Sequence, residues 1–482
     1  MIDNLIIGLY TTLYPEKKFL TSKLSQHTNH LIMINCHLLI IGGGQTGIHI
    51  IQQLSLKLGE NQKVVLIDNG DLGGSFLNNY ETPRGILSKE ASEYGSSLRI
   101  FKDYSETYTV LKRYRKTIQQ KIHSTIQKKQ HILGKKLSHI SNLTIIHGTP
   151  SFSTKNLVEI AKNDGSKELI GFEYCVICTG KSSLIDPEIE GLSNISFLYQ
   201  NSVFLLPRIP TSLAILRVTR ENLEVAQIYA NLGVKVDIYE PQTQDDIIKG
   251  LDKLGFEYLN KNFFSQQIQL HFQTTIARVS NLGNQINIID TANRNYKASD
   301  LYLHIEKGFS PDSMSLNLLG INTSFKGIET DEWGRTKARN IWALGDCIEI
   351  SNPLNKFNLI DGFIQYYEQY IRTNSLKGSY PKISSNIPII KVKANYPLFQ
   401  IGVSQLEATK IYGPTITSYT LSSSQFANSF AKIIYDSGSK NVYGVLVTGQ
   451  LVPYLEEYLT MEFSHRVVFS DIKHNIEALD FE

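Results

Sequence analysis

The sequence predicts an α/β protein in which a strand–turn–helix–strand unit occurs twice, followed by a C-terminal α+β region. The two copies are HLLIIGGGQTGIHIIQQLSLKLGENQKVVLID, from His37, and SLAILRVTRENLEVAQIYANLGVKVDIYE, from Ser212. In each copy an apolar run enters a turn, a helical pattern follows, and a second apolar run ends at an acidic residue. Short alternating stretches such as PIIKVKA and YGVLVTG, mixed with helical patterns, indicate the α+β region.

Length and composition limit the classes of protein that fit. At about 150 residues per domain, a chain of 482 residues with 41% hydrophobic residues predicts roughly three globular domains. The net charge of +3 and the scattered basic residues argue against a nucleic-acid partner. Four cysteines are too few for a disulfide scaffold, so we expect a reducing, cytoplasmic location. No apolar run reaches the roughly 18 residues of a membrane span, so no membrane partner is expected.

The first unit carries the glycine pattern of a dinucleotide-binding turn. Gly42, Gly44 and Gly47 form G-x-G-x-x-G between a strand predicted over Leu38–Ile41 and a helix. The pattern suits a tight turn, close approach of pyrophosphate to the backbone, and close packing of helix on strand. Asp68 ends the next strand, 68 − 47 = 21 residues after the last glycine, near the spacing of about 20 that places a carboxylate on a ribose.

The second unit has lost that pattern. Its positions equivalent to the three glycines are Arg217, Thr219 and Asn222. A side chain at Thr219 intrudes where pyrophosphate would meet the backbone, and Asn222 is expected to prevent the helix from closing on the strand in the usual way. NAD(P)H binding is therefore not expected there. The alternative, in which Arg217 and its neighbour Arg220 hold phosphate on a remodelled turn, stays open because Glu240 is retained.

Two further motifs occur, together with the two units, in a specific order along the chain. EYCVICTG ends at Thr179 and Gly180, and TDEWGRTKARNIWALGDC ends just after Gly345 and Asp346, with a helix predicted from about Leu359. With DLGGSFLNNYETPRGIL between the two units, the chain resembles the FAD-dependent pyridine nucleotide-disulfide oxidoreductases, the family of dihydrolipoamide dehydrogenase, glutathione reductase and mercuric reductase. The resemblance runs from about residue 33 to the C-terminus.

The resemblance implies two Rossmann-like dinucleotide-binding domains, one for FAD and one degenerate NAD(P) domain, and a C-terminal α+β dimerisation domain in a homodimer. The expected boundaries are 33–184 for the FAD domain, 185–305 for the NAD(P)-like domain, 306–385 for a return segment completing the FAD domain, and 386–482 for the dimerisation domain. Residues 1–32 have no counterpart in the family. They are either an N-terminal extension or a segment outside a translated chain that starts at Met33.

The resemblance also assigns residues to FAD. The positions that handle FAD in the family are Gly42, Gly44, Gly47, Asp68, Gly73, Gly74, Thr179, Gly180 and Asp346. Asp346 is expected to face the ribityl and phosphate region. No metal site is expected, because the sequence contains no ligand pattern typical of one.

The residues that carry the family's disulfide chemistry are replaced. The two redox-cysteine positions are Phe76 and Glu81, and neither residue can form a disulfide or a thiolate. The flavin-proximal lysine aligns with Gly85, and the acid–base histidine of the tail aligns with Leu479. The sequence therefore predicts a degenerate family member without a disulfide relay, for which no catalytic residue is assigned.

One retained residue suggests a surviving contact between the two units. Glu224 falls on the family glutamate that pairs with the lost lysine. We hypothesise that Arg84, beside Gly85, supplies the cation and keeps an interdomain ion pair. The alternative is a solvated helix glutamate.

Two functions follow from these observations. The first is a divergent FAD-dependent oxidoreductase whose flavin exchanges electrons directly with a donor and acceptor that the sequence does not identify. The second is a non-catalytic flavoprotein, a pseudoenzyme with a structural, sensing or interaction role. The retained FAD motifs fit both.

Overall fold

The structure is a computed structural model. It describes residues 33–479 apart from 56, 58, 60, 101–106, 184–188, 245–249, 264–266, 306, 311–313, 349–352, 374–387, 393–396, 424–425, 427 and 464–466. The prediction made for residues 1–32 lies outside this range.

The strands and helices of the described residues follow in chain order. The strands are β1 Met33–Ile41, β2 Val64–Asp68, β3 Leu143–His147, β4 Thr149–Thr154, β5 Leu157–Ala161, β6 Lys167–Ile177, β7 Ser182–Ser183, β8 Ser212–Leu216, β9 Lys235–Tyr239, β10 Ile268–His271, β11 Ile276–Leu282, β12 Gln285–Asp290, β13 Asn295–Ala298, β14 Asp300–Leu303, β15 Lys307–Gly308, β16 Thr323–Ser324, β17 Gly327–Ile328, β18 Ile341–Ala343, β19 Ile389–Val392, β20 Leu398–Gly402, β21 Ile416–Ser422, β22 Phe430–Asp436 and β23 Val442–Thr448. The α-helices are α1 Gln45–Ser55, α2 Thr82–Ile100, α3 Thr107–Ser138, α4 Arg220–Asn231, α5 Lys253–Phe263, α6 Pro353–Thr373, α7 Gln405–Tyr412, α8 Val452–Glu462 and α9 Phe469–Leu479.

The first unit forms a seven-stranded sheet with the order β3-β2-β1-β6-β5-β4, and β18 pairs in parallel with β6. Strands β1, β2, β3, β6 and β18 are parallel, and residues 38–41 of β1 are buried, as expected for a central strand covered on both faces. β1 begins at Met33, earlier than the predicted Leu38. Residues 33–36 pair with 169–172 of β6, a long-range contact that local periodicity cannot show.

The second unit forms a four-stranded parallel sheet with the order β10-β9-β8-β14, beside a three-stranded antiparallel sheet of β11, β12 and β13. The strands around its turn are β8 and β9, at the positions that the sequence predicts. Helix α6 begins at Pro353 instead of near Leu359, and proline suits the first turn of a helix because it lacks the N–H that would be unpaired there.

The C-terminal region is a five-stranded antiparallel sheet with the order β19-β20-β23-β22-β21. Helices α8 and α9 cover one face with buried apolar side chains that include Leu455, Leu459 and Ile472. A buried ion pair joins this sheet to the second unit, because Lys432 on β22 donates to both carboxylate oxygens of Asp252, at 2.8 and 2.9 Å. Among the described helices, none has the length and apolar character needed to cross a membrane.

Candidate functional site

The turn after β1 needs glycine for steric reasons. Gly42 has φ +112°, and a Cβ there would lie 2.5 Å from the carbonyl oxygen of Cys178. A Cβ at Gly47 would lie 2.1 Å from the carbonyl oxygen of Gly42, so only glycine lets α1 approach the turn this closely. Two of the three predicted glycines therefore shape the fold itself.

Gly44 differs, because a Cβ at this position would meet no atom within 4 Å. The open space lies at the N-terminus of α1, where unpaired backbone N–H groups and the helix dipole favour an anion. Gly73 pairs with Gly44 in a β-bridge, and a Cβ at Gly74 would lie 3.0 Å from the Gly44 Cα. Gly44, Gly73 and Gly74 thus form a surface of backbone atoms without side chains, of the kind that a pyrophosphate requires.

The other predicted FAD residues surround this surface. Asp68 ends β2, and its carboxylate accepts the backbone N–H of Gly43 at 3.0 Å. Thr179 and Gly180 follow β6, and Thr179 is exposed. Gly345 lies against the first turn of α1, where a Cβ would come within 2.5 Å of the Thr46 Oγ1, and this contact brings the exposed Asp346 to the same groove.

These residues fit FAD. The Asp68 carboxylate would hold a ribose, the bare glycine backbone and the helix N-terminus would accept a pyrophosphate, and Asp346 lies on the segment that returns to the turn. FAD supplies electron-transfer chemistry when bound. The residues that would hold it are those named for this groove.

A π-helix over Phe76–Glu81 begins two residues after Gly74. π-helical turns are rare and frequently occur at functional sites. Phe76 is 45% exposed, and Glu81 is half-buried at the last π-helical position. The two residues that the resemblance aligns with the family's redox cysteines therefore lie at the two ends of one π-helix, beside the candidate nucleotide groove.

Arg84 joins this π-helix to the second unit. Its Nη1 donates to the Glu224 Oε1, and its Nη2 and Nε donate to the Glu81 Oε2 at 2.6 and 3.2 Å. The Arg84 and Glu224 side chains are only 9% and 8% exposed. The alternative of a solvated Glu224 is therefore wrong, because α2 packs against α4 and encloses the pair.

Glu81, Arg84 and Glu224 are together called the cluster below. Burial alone would lower the pKa of the Arg84 guanidinium, but the two carboxylates, Glu224 first, outweigh it and raise that pKa. The sequence interpretation missed Glu81 as a member of the cluster. Its spacing of three residues from Arg84 on a helical segment could have indicated the contact.

The turn of the second unit is closed by its own side chains. The Thr219 Oγ1 accepts the backbone N–H of Asn222 at 3.1 Å and caps α4, so one donor that an anion would use is already occupied. Arg217 holds the turn with φ +72°, a conformation that normally favours glycine. Glu240 accepts the N–H of Val218 at 2.7 Å, the same contact that Asp68 makes in the first unit.

Asn222 contacts the turn through its side chain. Asn222 is fully buried, and its Nδ2 donates to the carbonyl oxygens of Leu216 and Arg217 at 2.9 and 2.8 Å. The side-chain amide therefore joins the first turn of α4 to two consecutive carbonyl groups, one at the end of β8 and one at the start of the turn. Compared with the glycine turn of the first unit, this turn presents different chemical groups to a ligand.

We expect Thr219→Ala to lower the free energy of unfolding by about 1 kcal/mol, because the cap of α4 is lost. Thr219→Ser keeps the hydroxyl and should stay near the parent value. Urea unfolding of both variants tests this, and an equal effect of the two substitutions would contradict the capping role.

Comparison with known proteins decides the family. A model described as "Pyridine nucleotide-disulphide oxidoreductase" matches residues 36–369, more than half of the chain. The chain belongs to this family. Its seven-stranded sheet is consistent with the first of the two Rossmann-like domains of this family.

Curated family members are distant relatives. Mercuric reductase from Shigella flexneri is 24% identical over 65% of this chain and 55% of its own length. Dihydrolipoyl dehydrogenase from Geobacillus stearothermophilus is 24% identical over 65% of this chain and 66% of its own length. The chain thus aligns with less than two thirds of the length of these relatives.

Solved structures share the fold over nearly the whole chain. The Cu(II) complex of the HOCl-induced flavoprotein disulfide reductase RclA from Escherichia coli has a TM-score of 0.73 at 18% identity, covering 89% of this chain and 93% of that one. LpdA from Mycobacterium tuberculosis also has a TM-score of 0.73 at 18% identity, covering 90% and 94%. At this identity the likeness establishes the fold alone.

The remaining positions assigned by resemblance are dispersed. Gly85 is exposed, and a Cβ there would meet no atom within 4 Å. Leu479 ends α9.

All four cysteines are buried and unpaired. Burial raises the pKa of the Cys36 and Cys347 thiols to about 12, and burial also raises the pKa values of Cys175 and Cys178. At these raised pKa values little thiolate, the reactive form of cysteine, exists at pH 8.

We expect the thiols of the native protein to react slowly with a disulfide reagent, and all four thiols to react only after denaturation. Fast reaction of even one thiol in the native protein would contradict this.

Proposed function

We propose that this chain is an FAD-binding flavoprotein, a divergent oxidoreductase that works without a disulfide relay. The groove formed by Gly44, Gly73 and Gly74 supports FAD binding, since these positions offer bare backbone at a helix N-terminus. In this proposal Asp68 holds the ribose of the adenosine, and Asp346 faces the ribityl and phosphate region.

The observation that carries the absence of a relay is the contact between Glu81 and Arg84. The position that would present a thiol to the flavin instead presents a carboxylate, anchored through one oxygen by two guanidinium N–H groups. The other position, Phe76, presents an exposed aromatic ring. A bound flavin then has no redox disulfide to which it could pass electrons, so the electron donor and acceptor react with the flavin directly.

NAD(P)H is not proposed as the electron donor. The Thr219 cap and the buried Asn222 occupy the turn where a pyrophosphate would approach the backbone. The retained contact of Glu240 with the N–H of Val218 leaves a ribose-binding carboxylate in place, so the direct test is a titration with both nucleotides.

A specific observation favours the second candidate, a non-catalytic flavoprotein. The side chains of Glu81, Arg84 and Glu224 satisfy one another and connect the two nucleotide folds. This arrangement serves stability without any substrate. FAD would then act as a structural or sensing ligand.

Assembly and location are further parts of the proposal. We propose a homodimer formed through the dimerisation domain, with the domain boundaries given above. The exposed side chains of Tyr454, Glu457 and Met461 lie on one face of α8, which supports an interface there. A cytoplasmic location is proposed from the low cysteine content of the sequence.

The function is tested by the visible spectrum of the purified protein and by anaerobic titration with NADH and NADPH. We expect flavin absorbance, FAD released on denaturation, and no rapid bleaching by either nucleotide. Protein that neither contains nor takes up flavin would reject both candidates. Rapid bleaching would overturn the account of the second unit.

A further inference from the structure

We infer that Asn78, held in place by Gln130 of α3, is a positioning residue for the pyrophosphate, because it fixes the loop of residues 71–74 in its binding conformation. The inference rests on the proposed function, since it requires FAD in the groove. It adds a residue that acts on FAD through the loop and to which the proposed function assigns no role.

Among the six described residues of the π-helix, Asn78 alone is buried, and it is polar. Burying an amide is unfavourable unless the protein supplies its hydrogen bonds. The Asn78 Nδ2 donates to the carbonyl oxygens of Asp71 and Leu72 at 3.4 and 3.2 Å. Its Oδ1 accepts an N–H of the Gln130 Nε2 at 3.2 Å. The amide therefore joins the loop to α3 through both of its polar atoms.

The loop that Asn78 contacts carries the glycines that would meet the pyrophosphate. Gly73 and Gly74 have φ values of +98° and +61°, and glycine loses more conformational freedom on ordering than any other residue. The Asp71 carbonyl oxygen accepts the Gly74 N–H at 3.1 Å as well as the Asn78 amide, and the Gly73 N–H donates to the Gly43 carbonyl oxygen at 2.8 Å. The two bonds from Asn78 thus restrain the turn in which both flexible glycines lie.

Helix α3 sets the orientation of the Asn78 amide. Gln130 is half-buried and donates to the amide oxygen, so the amide nitrogen faces the carbonyl groups of the loop. One residue earlier on α3, the Lys129 Nζ donates to the Oγ1 of Thr82, the first residue of α2, at 3.1 Å. Two consecutive residues of α3 therefore contact the π-helix and the residue that follows it.

The expected effect is on the affinity for FAD. A loop that already has its bound conformation loses less conformational entropy when the ligand binds, which strengthens binding. Without the Asn78 amide the free protein would populate other loop conformations, and only the fraction in the binding conformation could take FAD. We expect Asn78→Ala, which removes two hydrogen bonds to the loop, to weaken FAD binding about tenfold or more.

The experiment reconstitutes the flavin-free full-length protein with FAD, follows flavin fluorescence, and uses ADP as a competitor. ADP contains the pyrophosphate and the ribose but no flavin, so an effect on the loop should weaken the binding of FAD and ADP by the same factor. Urea unfolding of the flavin-free variants measures stability separately from affinity.

Asn142→Ala is the matched control. The Asn142 Nδ2 also donates to two carbonyl oxygens, those of Gly59 and Gln62, at 3.3 and 2.7 Å. These residues precede β2 and β3, whereas the groove lies beyond the last residues of β1 and β2. The control therefore removes the same kind of contact from the same sheet, and it should leave the affinities for FAD and ADP unchanged.

Gln130→Met keeps Asn78 but removes the donor to its amide oxygen. We expect FAD binding to weaken about threefold, less than in Asn78→Ala, because the amide nitrogen can still reach the loop. Since Gln130 acts through Asn78, combining the two substitutions should cause no further loss beyond that of Asn78→Ala. Gln130→Met also provides the test if Asn78→Ala does not fold.

An unchanged FAD affinity in Asn78→Ala or in Gln130→Met would overturn the inference, and so would weaker binding of FAD with unchanged binding of ADP. Each of these results leaves the proposed function standing. Equal weakening in Asn142→Ala would also overturn the inference, because the effect would then come from a general loss of stability. Absence of FAD binding in the parent protein would remove the proposed function and the inference together.

Discussion

Arg84→Met is expected to lower the free energy of unfolding by about 3–5 kcal/mol, the loss typical of a buried charge left without its partner. The substitution keeps an apolar side chain of similar length but leaves the Glu224 carboxylate enclosed, with its side chain 8% exposed. Because the pair joins α2 to α4, the loss should appear in the transition that separates the two nucleotide folds. Urea unfolding followed by circular dichroism measures it.

The double variant Arg84→Met with Glu224→Met identifies the cause. It removes both buried charges, so much of the lost stability should return. Lys89→Met is the matched control, because Lys89 forms an exposed pair with Glu93 on the same helix, and such pairs contribute about 1 kcal/mol or less. A loss below about 1 kcal/mol in Arg84→Met would mean that the pair does not hold the folds together.

Gly44→Ala is expected to leave the fold intact and to weaken FAD binding by on the order of 100-fold, about 2.8 kcal/mol at 1.4 kcal/mol per factor of ten. A methyl group at this position would meet no protein atom within 4 Å, so folding does not oppose it. The same methyl group would fill the space that a pyrophosphate needs against the backbone. Reconstitution of flavin-free protein with FAD, followed by flavin fluorescence, gives the affinity.

Two glycine variants separate binding from folding. Gly134→Ala, on α3, also meets no atom within 4 Å and should leave the FAD affinity unchanged. Gly42→Ala should instead destabilise the fold, because its φ is +112° and its Cβ would lie 2.5 Å from a carbonyl oxygen. If Gly44→Ala bound FAD as tightly as the parent chain, the flavin would not lie in this groove.

Much of the fold could be predicted from local sequence, because each nucleotide unit leaves a strong local pattern. Apolar runs around Gly42 and around the 217–222 turn place the strands and helices close to where they occur. The early start of β1 could not be predicted, since Met33 and its neighbours are held by pairing with distant residues of β6. Pairing between strands that are distant in the sequence leaves no periodic pattern in the local sequence.

The candidate site was partly predictable for similar reasons. Resemblance suggested that Arg84 and Glu224 meet, whereas the contact of Arg84 with Glu81 was missed, although a spacing of three residues is typical of a helical ion pair. The left-handed conformation of Arg217 was also hidden, because a non-glycine residue at φ +72° reflects the constraint of the whole turn. Thr219 before a helical pattern did carry a capping signal, which was overlooked.

The most direct test of the central claim is the number of electrons that the FAD-loaded protein accepts from dithionite under anaerobic conditions. A flavin beside a redox disulfide takes up four electrons, two in each centre, whereas a flavin alone takes up two. With Phe76 and Glu81 in place of the thiols, and with four buried unpaired cysteines, we predict two electrons per FAD. Uptake of four would reveal a second two-electron centre and contradict the account.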